Sequence, residues 1–154
     1  MDLCHKAGGK AGIALSDPFC VDRHRDSFRQ LVKNLDYVIG NEHEWSSLYQ
    51  TDLSTALERA AADSGLVVCT RSGHDVIVVR GDEQAVVPVK RVVPVDATGA
   101  GDQFAAGFFY GLATGQSLAT SGRMGCVAAA EVISHFGARP EADLKALFRK
   151  EGLI

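Results

Sequence analysis

Three observations predict an α/β fold in which a mainly parallel sheet is flanked by layers of helices. Short β-branched runs alternate with stretches whose apolar residues recur every three to four positions. The run Leu66-Val67-Val68-Cys69 is apolar at every position, as a parallel strand covered on both faces requires. The glycine-rich segment Gly99-Ala100-Gly101 opens a helix just past an extended run, which is where such sheets bind their ligands.

Residues 12–16 form a short apolar run closed by Asp17-Pro18 and are expected to be a buried strand. A helix follows. Its Phe28, Leu31, Val32 and Leu35 share one apolar stripe, and Arg23, Arg25, Asp26 and Arg29 are assigned to its solvated face. Residues 36–40 read as the second strand, and Asn41 opens a helix with Glu42 and Glu44 in its first turn, the acids that the positive helix end favours. Leu53, Ala56, Leu57, Ala60 and Ala61 repeat the helical stripe ahead of the strand at 66–69. Residues 75–80 and 84–89 are β-rich around Gly81-Asp82-Glu83 and read as an antiparallel hairpin appended to the sheet.

After Val92-Val93-Pro94-Val95 the glycine-rich turn leads into a helix with Phe104, Phe108 and Leu112 on one stripe and Gly107 and Gly111 beside it. A second, small-residue helix is expected over 118–134, and a third after Pro140 with Leu144, Leu147 and Phe148 inward. No repeat or linker divides the chain, so one domain is the simplest organisation.

The 154 residues are 46% hydrophobic and 23% charged, the usage of an ordinary folded domain, which excludes disordered and collagen-like classes. A net charge of −3 with dispersed Lys and Arg leaves no basic footprint for nucleic acid or an anionic membrane. A small molecule is the expected partner. No apolar run approaches the ~18 residues of a membrane span, and Met1-Asp2-Leu3-Cys4-His5-Lys6 lacks a signal peptide's apolar core, so the cytoplasm is the expected compartment. Cys4, Cys20, Cys69 and Cys126 are widely spaced and read as reduced, mostly buried thiols.

Chemistry concentrates at Asp96-Ala97-Thr98-Gly99-Ala100-Gly101-Asp102. Small residues let the backbone approach a ligand and aim consecutive N–H groups at it, and the following helix adds its positive end, a cradle suited to phosphate. Asp102 is a poor choice for holding a ground-state anion. It is well placed to take the proton of an alcohol attacking a terminal phosphate. A purely structural reading is equally compatible with these residues: Asp96 or Thr98 as the helix N-cap and Asp102 as an ordinary first-turn acid. A Walker loop is excluded because no lysine is present, and a dinucleotide loop because Phe104 stands where its last glycine belongs.

The string from Asp96 to Asp102, with Gln103-Phe104 and Gly107-Phe108 after it, is similar to the D-T-x-G-A-G-D-x-F-x-x-G-F signature of ribokinase-like (PfkB) kinases. That resemblance implies Asp102 as general base and the Gly99, Ala100 and Gly101 backbone as anion hole. It also implies Thr98 at the nucleotide and Asp96 at a K+ ion. Ala97 replaces the family's usual Thr.

Asn41-Glu42-His43-Glu44 resembles the family's N-x-x-E motif, whose Asn and Glu organise Mg2+ and phosphates through water. The same four residues also spell a capping box. Thr70-Arg71-Ser72-Gly73-His74-Asp75 stands where the family has T-x-G-x-x-G, which implies Thr70 and Gly73 near the nucleotide, with Ser72 and Asp75 in place of its glycines. Cys126-Val127-Ala128-Ala129-Ala130 resembles the small-residue helix beside the adenine and places Cys126 and Ala129 there, although Asn or His is usual at Cys126.

The stretch ending Gly137-Ala138-Arg139-Pro140 looks closest to bacterial adenosine-kinase-like members. What the family implies is ATP- and Mg2+-dependent phosphoryl transfer to a hydroxymethyl group of a sugar or nucleoside, adenosine-like by preference. The resemblance covers residues 9–148 as the C-terminal, nucleotide-binding half of a domain about twice as long. The acceptor contacts and lid belong to the other half, so that half or a second copy is an expected partner. By itself the chain is expected to bind adenine nucleotides weakly without turnover. The alternative is a non-catalytic nucleotide-binding fragment or remnant of such a kinase.

Overall fold

The computed structural model describes residues 1–154, which form two units: Met1–Ser72 with Val76–Ala85, and Gly73–Asp75 with Val86–Ile154. The first unit holds α1 (Asp2–Lys6), β1 (Gly12–Ala14), α2 (Pro18–Arg23), α3 (Arg25–Val32), β2 (Tyr37–Asn41), α4 (Glu42–Tyr49), α5 (Leu53–Asp63) and β3 (Val67–Arg71); α1 was not expected, and the one helix expected after β1 is broken at His24 and ends before Leu35. Side-chain oxygens start three of these helices. Asp17 accepts from the Cys20 N–H, Asn41 from His43 and Glu44, and Asp52 from Thr55, each satisfying amides that a helix start leaves without partners.

β1, β2 and β3 pair in parallel, with Ile13 opposite Val38 and Ile39 opposite Val68. β4 (His74–Arg80) and β5 (Glu83–Val87) extend the sheet in the order β1-β2-β3-β4-β5. Each follows its neighbour across a two-residue turn, and so short a connection joins only antiparallel strands. The core of this unit packs Leu15, Val32, Val38, Leu48, Val67 and their neighbours around Trp45, whose indole N–H donates to the Val68 carbonyl at 3.1 Å. No helix of the chain is long and apolar enough to cross a membrane.

Several expectations for this unit are corrected. β1 is not buried: Gly12 and Ala14 are exposed and Ile13 is half-buried, because the strand ends the sheet and has one neighbour. Arg25 and Arg29 are half-buried rather than solvated. The Arg29 guanidinium lies 3.8 Å over the Tyr49 ring and donates to Asp63 at 2.9 Å, while Tyr49 donates to the same carboxylate. Desolvation by burial, followed by the Asp63 hydrogen bond, raises the Tyr49 phenol above its ordinary range. Of the four cysteines only Cys69 is fully buried.

The second unit is helical beyond its strand ends: α6 (Ala100–Ala113), α7 (Leu118–Val132) and α8 (Leu144–Lys150). α6 and α7 meet through small residues. A Cβ added to Gly107 would fall 2.5 Å from the Met124 carbonyl oxygen, a distance at which something must move. Phe104 and Phe108 are buried in this unit, while Leu112 is half-buried. Met124, Ala128, Phe148 and Leu153 form a core shared by α7 and α8.

The extended run expected directly before Asp96 is not a strand. β5 ends at Val87, residues 88–99 are irregular, and Val93 is 89% exposed. Pro88 and Pro94 bracket this segment, and proline removes ladder donors.

Candidate active site

The turn ahead of α6 is held by its own carboxylate. Asp96 accepts the Thr98 N–H at 2.9 Å through one oxygen and the Gly137 N–H at 3.0 Å through the other. The Thr98 hydroxyl first, then the amides of Gly137 and Thr98, hold the Asp96 carboxyl down at about 2. Asp96 therefore braces the loop and is not the helix cap.

The N-cap is Gly99, which makes no side-chain cap bond. Its φ of +79° and the close approach of Ala138, whose carbonyl oxygen would lie 2.9 Å from an added Cβ, account for a glycine on structural grounds alone. Gly101 differs. It has an ordinary φ, and a Cβ there would meet nothing within 4 Å, so folding of this chain does not demand glycine at that position.

The backbone around this turn is only partly satisfied. The Ala100 N–H reaches the Ala97 carbonyl at 3.2 Å and that of Gln103 reaches Gly99 at 2.9 Å. The N–H groups of Gly101 and Asp102 meet no acceptor in the chain. Both lie in the first turn of a 14-residue helix, where the positive end of the backbone dipole favours an anion. The Asp102 side chain is exposed in the same turn. One turn thus offers unused N–H donors and a free carboxylate, the two components that an alcohol attacking a phosphoryl group requires.

Two of the other expected residues fall at the carboxyl ends of parallel strands in the first unit, and a third on the helix that follows. Asn41 and Thr70 are register partners on β2 and β3. Glu44, one turn into α4, completes a capping box with Asn41. It is 4% exposed, and its carboxyl is raised above the ordinary range chiefly by desolvation, with the Asn41 N–H acting in the opposite direction.

The remaining expected residues belong to the second unit. Gly73 lies in the β3–β4 turn with φ +85° and accepts the Arg91 Nε–H at 3.2 Å. A cavity of about 1150 Å3 has Val89, Val92, Cys126, Val127, Ala130 and Leu147 on its apolar side and Lys90, Arg123, Glu131, His135, Glu141 and Glu151 among its polar lining. Cys126 lines it, with its thiol pushed up to about 11 by burial, so it stays neutral and acts as an apolar wall. Ala129, on the same helix, does not line it.

Gly137 and Ala138, quoted above only for a resemblance and given no role at the site, hold Asp96 and Gly99 from 41 and 39 positions away in the chain. No local pattern marks such a contact.

Residues 1–144 match the model of the pfkB family carbohydrate kinases. The chain is 41% identical to a probable sugar kinase from Rhizobium etli, superposing with a TM-score of 0.96 over 99% of this chain and 48% of that one. It is 38% identical to an adenosine kinase from Sinorhizobium meliloti, with a TM-score of 0.94 over 97% of this chain and 47% of that one. An uncharacterized sugar kinase of Archaeoglobus fulgidus is 33% identical over 119 residues, 77% of this chain and 48% of its own length. The chain spans about half the length of the relatives it matches.

Proposed function

Because the chain belongs to the pfkB family of carbohydrate kinases, we propose that it carries the donor side and transfer turn of an ATP-dependent kinase. The acceptor is the hydroxymethyl group of a sugar or nucleoside. Asp102 takes the hydroxyl proton as that oxygen attacks the terminal phosphorus. The main-chain turn Gly99-Ala100-Gly101 receives charge from the phosphoryl oxygens, through the unused Gly101 N–H first, while the Ala100 N–H would exchange its 3.2 Å bond to Ala97. Supporting this reading above all is Gly101, where an open space, an unused N–H and an unneeded glycine coincide at a helix start. A backbone designed only to fold would gain from a side chain there.

The cavity beside Cys126 is assigned to the nucleotide base, with Val89, Val92, Val127 and Ala130 on its apolar side. Thr70 and Gly73 border the donor phosphates in this reading. Magnesium neutralises phosphate charge when bound. Both Glu44 oxygens already accept from Asn41, so these residues fit a role through the ion's water shell rather than direct ligation. Asp96 would hold a K+ ion in this reading, its carboxylate kept ionised by the donors of Thr98 and Gly137. The adenosine-like acceptor rests on the likeness to the Sinorhizobium adenosine kinase, at 38% identity, beside a sugar acceptor that the 41% identity to the Rhizobium sugar kinase supports equally.

The test is direct. ATP should perturb the amide resonances of Gly99, Gly101 and Asp102 in the isotope-labelled chain, and a complete enzyme carrying this segment should phosphorylate adenosine or ribose. Absence of any ATP-dependent perturbation would overturn the proposal.

A further inference from the structure

Beyond the transfer turn itself, we infer that Glu131 is a positioning residue for it, acting through the backbone of residues 137–142. Glu131 stands on the last turn of α7, with its side chain 9% exposed. Its Oε1 accepts the N–H groups of both Glu141 and Ala142 at 2.8 Å. The same oxygen lies 3.3 Å from Nε2 of His135, one turn further on, whose Nδ1–H faces the Phe136 carbonyl at 3.2 Å. Oε2 is buried with no partner. A carboxylate withdrawn from water is costly unless donors converge on it. The donors here are main-chain amides of one short segment.

Besides these bonds, the segment's Glu141 Oε1 lies 3.7 Å from Nδ1 of His135. Residues 136–143 are all exposed, so no buried side chain anchors it. Yet its other end grips the transfer turn at three points. The Gly137 N–H donates to Asp96 at 3.0 Å, Ala138 fills the space beside Gly99, and the Ala138 carbonyl accepts from the Gln103 side chain at 3.4 Å. Glu131 fixes the segment, and the segment fixes the backbone from which the anion-binding amides project. A small change in where those amides point has a large effect on a transferring phosphoryl group.

This inference rests on the functional reading above, and its experiment separates the two. In amide NMR spectra of the ligand-free 154-residue chain, Glu131→Ala is expected to shift Thr98, Gly99 and Gly101, and to weaken the ATP response of those amides about tenfold. Glu131→Gln keeps an acceptor oxygen and should restore both. Phe148→Leu, a core change in the same unit, should lower Tm without moving the turn. Should Glu131→Ala fail to fold, Glu131→Asp, which retains charge but withdraws the oxygen, should reproduce its shifts while Glu131→Gln does not. Turn amides that stay in place in the folded Ala or Asp variant overturn the role of Glu131, whatever ATP does. A wild-type chain deaf to ATP, with Glu131 variants that still move the turn, overturns the kinase reading and leaves the structural coupling standing.

Discussion

Asn41 occupies both carboxylate oxygens of Glu44, its backbone N–H reaching Oε2 at 2.7 Å and its side-chain amide reaching Oε1 at 2.8 Å. In return its Oδ1 accepts the N–H groups of His43 and Glu44. Glu44→Gln retains one acceptor and removes a buried charge, so its stability cost should be within about 1 kcal/mol. Because burial raises the Glu44 carboxyl in the folded state, the folded chain binds that proton more readily. Lowering pH through the interval just above the ordinary 4.5 should then favour this helix start. In a complete enzyme the same variant should raise the magnesium requirement. A changed Tm with an unchanged magnesium titration would reduce Glu44 to a cap.

Asp102→Asn, in a complete enzyme, should lower kcat by on the order of 10²–10⁴ while ATP affinity changes little, since proton removal contributes in the transition state. Steady-state kinetics with parallel ATP titrations separate the two quantities. Equal losses in both would mean that Asp102 serves the helix start rather than the reaction.

Gly99 and Gly101 should respond oppositely to alanine. At Gly99 the positive φ and the Ala138 carbonyl at 2.9 Å predict a stability loss of about 1–3 kcal/mol. At Gly101 alanine should hold or raise stability, by up to about 1 kcal/mol, while weakening phosphate contact by about tenfold or more. Thermal melts and ATP titrations of both variants decide this.

Asp96 should titrate near 2 rather than at the ordinary 3.8. Its folded pKa is depressed, so the stability it supplies is fully present above 3.8 and is lost as pH falls toward 2. Carboxyl 13C titration reads the value directly. Asp96→Asn should remove this part of the acid dependence and free the Gly137 amide to exchange.

Much of the fold was legible because it depends on local chemistry. The hairpin turn at Gly81 and the cap at Asn41 are written in adjacent residues, and the helices carry their apolar spacing openly. What was not legible depends on neighbours remote in sequence. Ile13 and Ala14 read as core until the strand order puts β1 at an edge. Val92, Val93 and Val95 read as strand but join no ladder, the Val95 N–H donating to the Ile133 carbonyl instead. The motif at 96–102 was plain, yet Gly99 and Gly101 are identical as letters. Only the position of Ala138 shows that one is required by the fold and the other is not. Glu131 and His135 stood at i,i+4 spacing, a pairing signal that the sequence reading did not take up.

Gly107→Ala should destabilise the second unit by about 1–3 kcal/mol despite alanine's better helix propensity, which is worth about 1 kcal/mol. The obstacle is the Met124 main chain at 2.5 Å, which has no rotamer to yield. Chemical denaturation should show the loss, and a gain would mean that α6 and α7 can separate at little cost.

The edge position of β1 has a kinetic consequence. Its outer side offers backbone donors and acceptors next to the exposed Gly12 and Ala14, with no bulky side chain to fend off an incoming strand. Strand addition is a two-body event, so its rate grows with the square of chain concentration, whereas the rate of folding grows only in proportion to it. A dilute preparation and a concentrated one of this same chain would therefore follow different fates. Charge placed at Ala14, on the open rim, would slow the second-order route and leave the first-order one alone.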